Sequence, residues 1–155
     1  MNKTLPSTWL NQTHEIQLTY KRPLFESMER ITSSEKASNL IKQYVDRDQL
    51  DLRERAWVLY LTNANCVIGI AEISTGDITS TTIPKRYIFQ LALMVNAVAF
   101  IIIHNHPSGT LKVSAADKAI TKKLCSAGDI MDIKVLDHII ITSESYVSLV
   151  DENLM

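Results

Sequence analysis

An α/β fold, with one mixed sheet flanked by helices, follows from three patterns in the 155 residues. Residues 97 to 103, Ala-Val-Ala-Phe-Ile-Ile-Ile, are apolar at every position, as in a strand covered on both faces. Apolar residues recur at helical spacing over Ala37–Val45 and again over Ala116–Ala127. Strand-like and helix-like segments interleave along the chain, the order that builds layers around a single sheet.

Taken in order, residues 1 to about 13 are polar and aperiodic, and Glu15–Tyr20 alternates as a short strand would, stopped by Pro23. Thr32-Ser-Ser-Glu35 reads as a capping box for a first helix. Its inner stripe is Ala37, Leu40, Ile41, Tyr44 and Val45, and its outer face carries Lys36, Lys42 and Gln43. Most of the charged stretch Asp46–Arg55 reads as a solvated loop. Trp57–Leu61, the turn Thr62–Asn65 and Val67–Ile73 form a hairpin that Gly76-Asp77 ends. Pro84 marks the first turn of a second helix with Ile88, Leu91, Ala92 and Val95 inside. A third helix starts near Ser114, lines one side with Ala116, Ile120, Leu124 and Ala127, and stops at Gly128. Ile133–Val135, His138–Thr142 and Tyr146–Leu149 complete the sheet as short strands.

Composition narrows the class. Hydrophobic content of 46% fits a globular domain with a real core. No apolar run is long enough for a membrane span, and the N-terminus lacks the apolar stretch of a signal peptide. Cys66 and Cys125 are too few and too far apart for a disulfide framework, so a reducing, cytoplasmic setting is expected. A net charge of −1 does not support nucleic acid as a partner.

The chemistry concentrates in residues 104 to 117. His104 and His106 close the apolar run, and Asp117 opens the third helix. Residues i and i+2 of a strand point the same way, so both imidazoles face one site while Asn105 faces away. Asp117, a turn into the helix, is within reach as an oxygen ligand. Two imidazoles and one carboxylate leave a fourth tetrahedral position open, the mark of a catalytic rather than a structural zinc site. Zinc there would lower the pKa of a water to roughly 7. Spacing alone leaves the bland alternative equally open: Ser114-x-x-Asp117 also reads as a helix cap with an acid in the first turn.

His-x-His, seven residues, Ser, two residues, Asp resembles the JAMM (MPN+) metalloprotease motif. The words His104-Asn-His-Pro-Ser-Gly109, Val135-Leu-Asp-His-Ile139 and Tyr146-Val-Ser-Leu149 are similar to the RadC-like branch of that group. The resemblance runs from about residue 30 to the end. It divides the chain into an N-terminal extension, 1–30, and a RadC-like JAMM/MPN+ domain, 31–155. It implies a cytidine-deaminase-like fold, a Zn²⁺ ion on His104, His106 and Asp117, and a glutamate that takes a proton from water. That glutamate maps onto Glu54, with Glu72 in the return strand as runner-up. The resemblance also gives Ser114 a part in stabilising an oxyanion, although capping explains it more simply. His138 could support a ligand, or be a packed strand histidine. His14 is assigned nothing, and Ser108 is a turn residue.

The expected function is a zinc-dependent hydrolase, a metalloprotease or isopeptidase acting on a peptide or isopeptide bond. The alternative is a non-catalytic MPN-type interaction module or a DNA-repair accessory. RadC-like proteins carry an extra N-terminal helix-hairpin-helix region, for which this chain has no room, so the DNA-repair association rests on the family name alone. A nucleobase deaminase would need His-x-Glu and Pro-Cys-x-x-Cys, and the chain has neither.

Overall fold

The structure, a computed structural model, describes residues 17, 19–75 and 82–155. Its strands are β1 (Arg55–Leu61), β2 (Val67–Thr75), β3 (Ala99–Asn105), β4 (Lys134–Ile141) and β5 (Tyr146–Ser148). Its helices are α1 (Ser34–Tyr44), α2 (Lys85–Met94) and α3 (Ala115–Met131). The strands form one mixed sheet in the order β2-β1-β3-β4-β5. Among the described strands only the β3–β4 pair is parallel, and α3 makes that crossover. None of the described helices is long and apolar enough to cross a membrane.

Side-chain alternation assigns each strand residue to one of two cores. Trp57, Leu59, Leu61, Ile101, Ile103, Ile139 and Ile141 pack beneath α1 with Ala37 and Ile41. Ala56, Val58, Tyr60, Phe100 and Ile102 pack on the other face with Ile88, Phe89 and Ala92 of α2 and Leu124 of α3. β3 is buried along its whole length, as its unbroken apolar run requires. Even-numbered positions of β1 and β3 therefore face α2 and α3. That parity carries Glu54, just before β1, and His104, near the end of β3, onto one face.

Several sequence expectations shift. The α1 cap is Ser33, whose side chain accepts from Lys36 N; the box starting at Thr32 does not form. Tyr44 is 56% exposed, outside the stripe assigned to it. Pro84 is the N-cap of α2 and not its first turn, and Phe89 replaces Leu91 as a fully packed residue of that helix. The two segments 133–135 and 138–142 merge into the single strand β4, because parallel pairing with β3 runs through them. The strand expected at Glu15–Tyr20 lies largely outside the described residues; residues 17, 19 and 20 carry no regular structure. The hairpin end at Gly76-Asp77 also lies outside them.

Gly128 does not end α3. The helix runs on to Met131 and stops at Asp132, which takes the left-handed conformation at φ 55°. Gly128 instead admits the returning chain: a Cβ there would sit 2.3 Å from the Ile133 carbonyl oxygen. Gly128→Ala is expected to destabilise the protein by about 2 kcal/mol, the steric cost outweighing a helix-propensity gain of about 1 kcal/mol. Urea unfolding measures it, and an unchanged midpoint would mean that the α3–β4 connection yields freely.

Candidate metal centre

The end of β3 is fixed by its neighbours. His106 N donates to Ile141 O at 3.0 Å, which carries the strand line one residue past β3. Between the histidines, Asn105 is fully buried and turned to the opposite side. Its Oδ1 accepts from Arg55 N at 2.6 Å, and its Nδ2 donates to Leu50 O at 2.7 Å and Arg53 O at 2.9 Å. This amide fastens the 50–55 segment and thereby fixes where Glu54 leaves the backbone. Most of Asp46–Arg55 is exposed, as a solvated loop should be, but Leu50 is buried and Glu54 half-buried.

Four side chains converge. His104 Nε2 and His106 Nε2 are 3.0 Å apart. Asp117 Oδ1 is 3.3 Å from His104 Nε2, and Oδ2 is 4.0 Å from His106 Nε2. Glu54 Oε1 is 3.9 Å from His106 Nε2. Ligand atoms of Glu54, His104 and His106 all lie within 4.8 Å of one another. Together with Ser114 these residues line a cleft of about 450 Å³, walled by Ile83, Lys85 and Ile120. Glu72 is elsewhere. Its register partner is Trp57, on the α1 face, and it pairs with Arg55 at 3.4 Å.

Hydrogen bonding fixes how each imidazole presents itself. His106 Nδ1 lies 2.9 Å from Thr110 O, and a carbonyl only accepts, so Nδ1 carries the proton and Nε2 is left a lone pair. His104 Nδ1 lies 2.8 Å from Nε2 of His138, whose Nδ1 lies 2.6 Å from Thr121 Oγ1. Thr121 donates in turn to Asp117 O at 2.6 Å. With its proton spent there, Thr121 accepts from His138 Nδ1, and His138 Nε2 accepts from His104 Nδ1. Burial pushes the His138 ring down to about 3, so it is neutral near pH 7, as this chain of donors requires.

Asp117 serves two purposes with two oxygens. Ser114 N and Oγ both donate to Oδ2, at 2.8 and 2.6 Å, and Asp117 N returns a bond to Ser114 Oγ at 3.0 Å, a complete capping box. Oδ1 is left facing His104. Burial would raise this carboxyl, but the neighbouring His104 ring and the hydrogen bonds from Ser114 outweigh it and hold the group well below the usual carboxylate range. The cap and the ligand readings of Asp117 are thus compatible.

The donor set suits a divalent cation. Two nitrogens with their other positions committed lie with a Glu54 carboxylate oxygen within 4.8 Å of one another, and Asp117 Oδ1 stands 3.3 Å from one of those nitrogens. Metal–nitrogen bonds of about 2 Å at tetrahedral angles set ligand atoms roughly 3.3 Å apart, close to the His104–His106 and His104–Asp117 separations here. His138→Gln is expected to weaken zinc binding by about 10–100-fold without removing a ligand. Zinc titration measures the loss, and imidazole ¹⁵N shifts report whether His104 has changed tautomer; unaltered affinity would make the relay ornamental.

His138, Thr121 and Asn105 have no assigned role in the sequence pattern beyond the open alternative for His138. The signals for them were present: polar residues at strand and helix positions surrounded by apolar ones. The downstream words are also explained. Asp137 Oδ1 accepts from His138 N and its Oδ2 from Ser148 Oγ, both at 2.7 Å, which ties β4 to β5. Burial pushes the Asp137 carboxyl up.

A mixed sheet whose central strand ends in His-x-His, against a helix opening with a buried aspartate, defines a JAB/MPN-type α/β domain. The chain belongs to the RadC-like JAB domain family, whose profile matches residues 31–154. It is 44% identical over 127 residues to a UPF0758 protein of Flavobacterium johnsoniae, covering 82% of this chain and 54% of the relative. A UPF0758 protein of Geotalea uraniireducens is 36% identical over 141 residues, covering 91% and 60%. The chain thus spans little more than half the length of these curated relatives.

Proposed function

We propose that the protein is a zinc-dependent metallohydrolase that cleaves a peptide or isopeptide bond. The observation that carries this reading is the convergence of two Nε2 lone pairs, fixed by opposed hydrogen-bond chains, with one oxygen of Asp117 and with Glu54 beside them. His104, His106 and Asp117 would hold the ion. Zinc supplies Lewis acidity and an acidified water when bound. Glu54 accepts a proton from the attacking water at Oε1 and returns it to the leaving amine nitrogen. Its half-buried place beside the imidazoles supports that role over Glu72, which lies by register on the other sheet face. Ser114 orients Asp117; helping an oxyanion would require its hydroxyl to turn away from Oδ2. Cys66 and Cys125 are free thiols, which supports a cytoplasmic setting.

The test is a screen of fluorogenic peptides and isopeptide-linked conjugates with zinc-loaded protein. Hydrolysis that a chelator stops and zinc restores is the expected result. A loaded protein inert across the screen would favour the alternative, a non-catalytic MPN-type interaction module.

A further inference from the structure

Beside the metal cleft, α2 and α3 leave between them an open groove of about 1010 Å³, more than twice the volume of that cleft. Phe89, Leu93, Ala127 and Met131 line it, and its surface is overwhelmingly apolar. Leu93 is 55% and Met131 43% exposed, a contiguous apolar patch of the kind that marks an interaction site. Four cations edge it: Lys85 and Arg86 from α2, Lys122 and Lys123 from α3. Among the described residues none of the four is ion-paired. Asp129 of α3 lines a separate hollow with Gly128 and Ile133. In a chain of net charge −1, four cations around one groove with no ion pair among the described residues are a local feature.

An occupant must satisfy both the apolar floor and the basic rim. Nucleic acid meets only the rim, because Phe89, the one aromatic among the described residues lining the groove, is 4% exposed and offers no ring face for base stacking. A second copy joined about a two-fold axis would set these cations against their own likeness. A flat bilayer does not fill a concave groove. A polypeptide segment carrying both carboxylates and apolar side chains meets every requirement. Lys85 lines the groove and the metal cleft alike, so a chain lying in the one leads into the other.

We propose that this groove docks an acidic polypeptide segment bearing apolar side chains. Resting on the hydrolase reading above, that segment flanks the bond presented to Glu54.

A random peptide library displayed on phage is panned against the full chain. The expected pool is enriched in Asp and Glu together with Leu, Ile, Phe or Met. A labelled peptide of the enriched sequence should bind less tightly as salt rises, and roughly tenfold less tightly to the Lys122→Glu/Lys123→Glu variant. The Arg/Arg pair at the same positions should restore binding. Leu93→Asp should lose it by a similar factor, with melting curves confirming that the fold is intact. No enrichment, a basic pool, binding indifferent to charge reversal, or displacement of the peptide by poly(dT), by anionic vesicles or by self-association would each overturn the proposal. His106→Ala should retain peptide binding. Docking without hydrolysis therefore sinks only the hydrolase reading, and hydrolysis without docking sinks only this one.

Discussion

His104→Ala is expected to remove tight zinc binding. His104 Nε2 lies between the other donors, 3.0 Å from His106 Nε2 and 3.3 Å from Asp117 Oδ1, so its loss leaves one imidazole and one carboxylate. Losing an outer partner of a ligand costs about 10–100-fold, and losing a ligand itself should cost more than that. Calorimetric titration and elemental analysis measure this: one zinc per native chain, none retained by the variant. The same change empties a site that is 2% exposed and strips His138 Nε2 of its donor, so roughly 2–4 kcal/mol of stability should go with it. His106→Ala separates the two effects, because His106 is half-buried at the cleft and its removal leaves the His104–His138–Thr121 chain whole. Zinc binding unchanged in both variants would put the centre elsewhere.

Glu54→Gln is expected to keep the metal and lose the reaction. The amide has the size of the carboxylate but cannot accept the proton, and a positioned general base contributes about 10²–10⁴-fold. Hydrolysis by zinc-loaded protein should fall by that factor with affinity for the ion nearly unchanged. Glu72→Gln should leave the rate near native, since Glu72 pairs with Arg55 away from the cleft. The reverse outcome would exchange the two acids. Loss of zinc from the Glu54 variant would instead make Glu54 a ligand, a geometry that its grouping with the two histidines also allows.

Much of this centre is legible in the sequence because it is local. A two-residue repeat puts His104 and His106 on one side of a strand, and a cap motif places Asp117 one turn into a helix. The parity that brings Glu54 to the same face can be counted along β1 once β1 and β3 are known to be adjacent, but that adjacency is a long-range fact. The parts that stayed hidden depend on such contacts. Thr121 and His138 meet only because the crossover through α3 lays β4 parallel to β3. Asn105 reaches the backbone of Leu50 and Arg53 across half a hundred residues. Element boundaries slipped where local signals were ambiguous. Glycine near a helix end usually means a stop, but Gly128 yields space to Ile133 O, and the stop falls to Asp132.

The sequence His104, His138, Thr121 ends on the main-chain oxygen of Asp117, whose carboxylate looks back at His104. These contacts close a loop spanning two strands and a helix. One donor cannot be re-aimed without disturbing the other, and both depend on how the first turn of α3 seats on the sheet. If the proposed ion binds here, its pocket is built in advance by the folded chain, and small displacements of that turn would be felt as changes in which metal is accepted and how tightly.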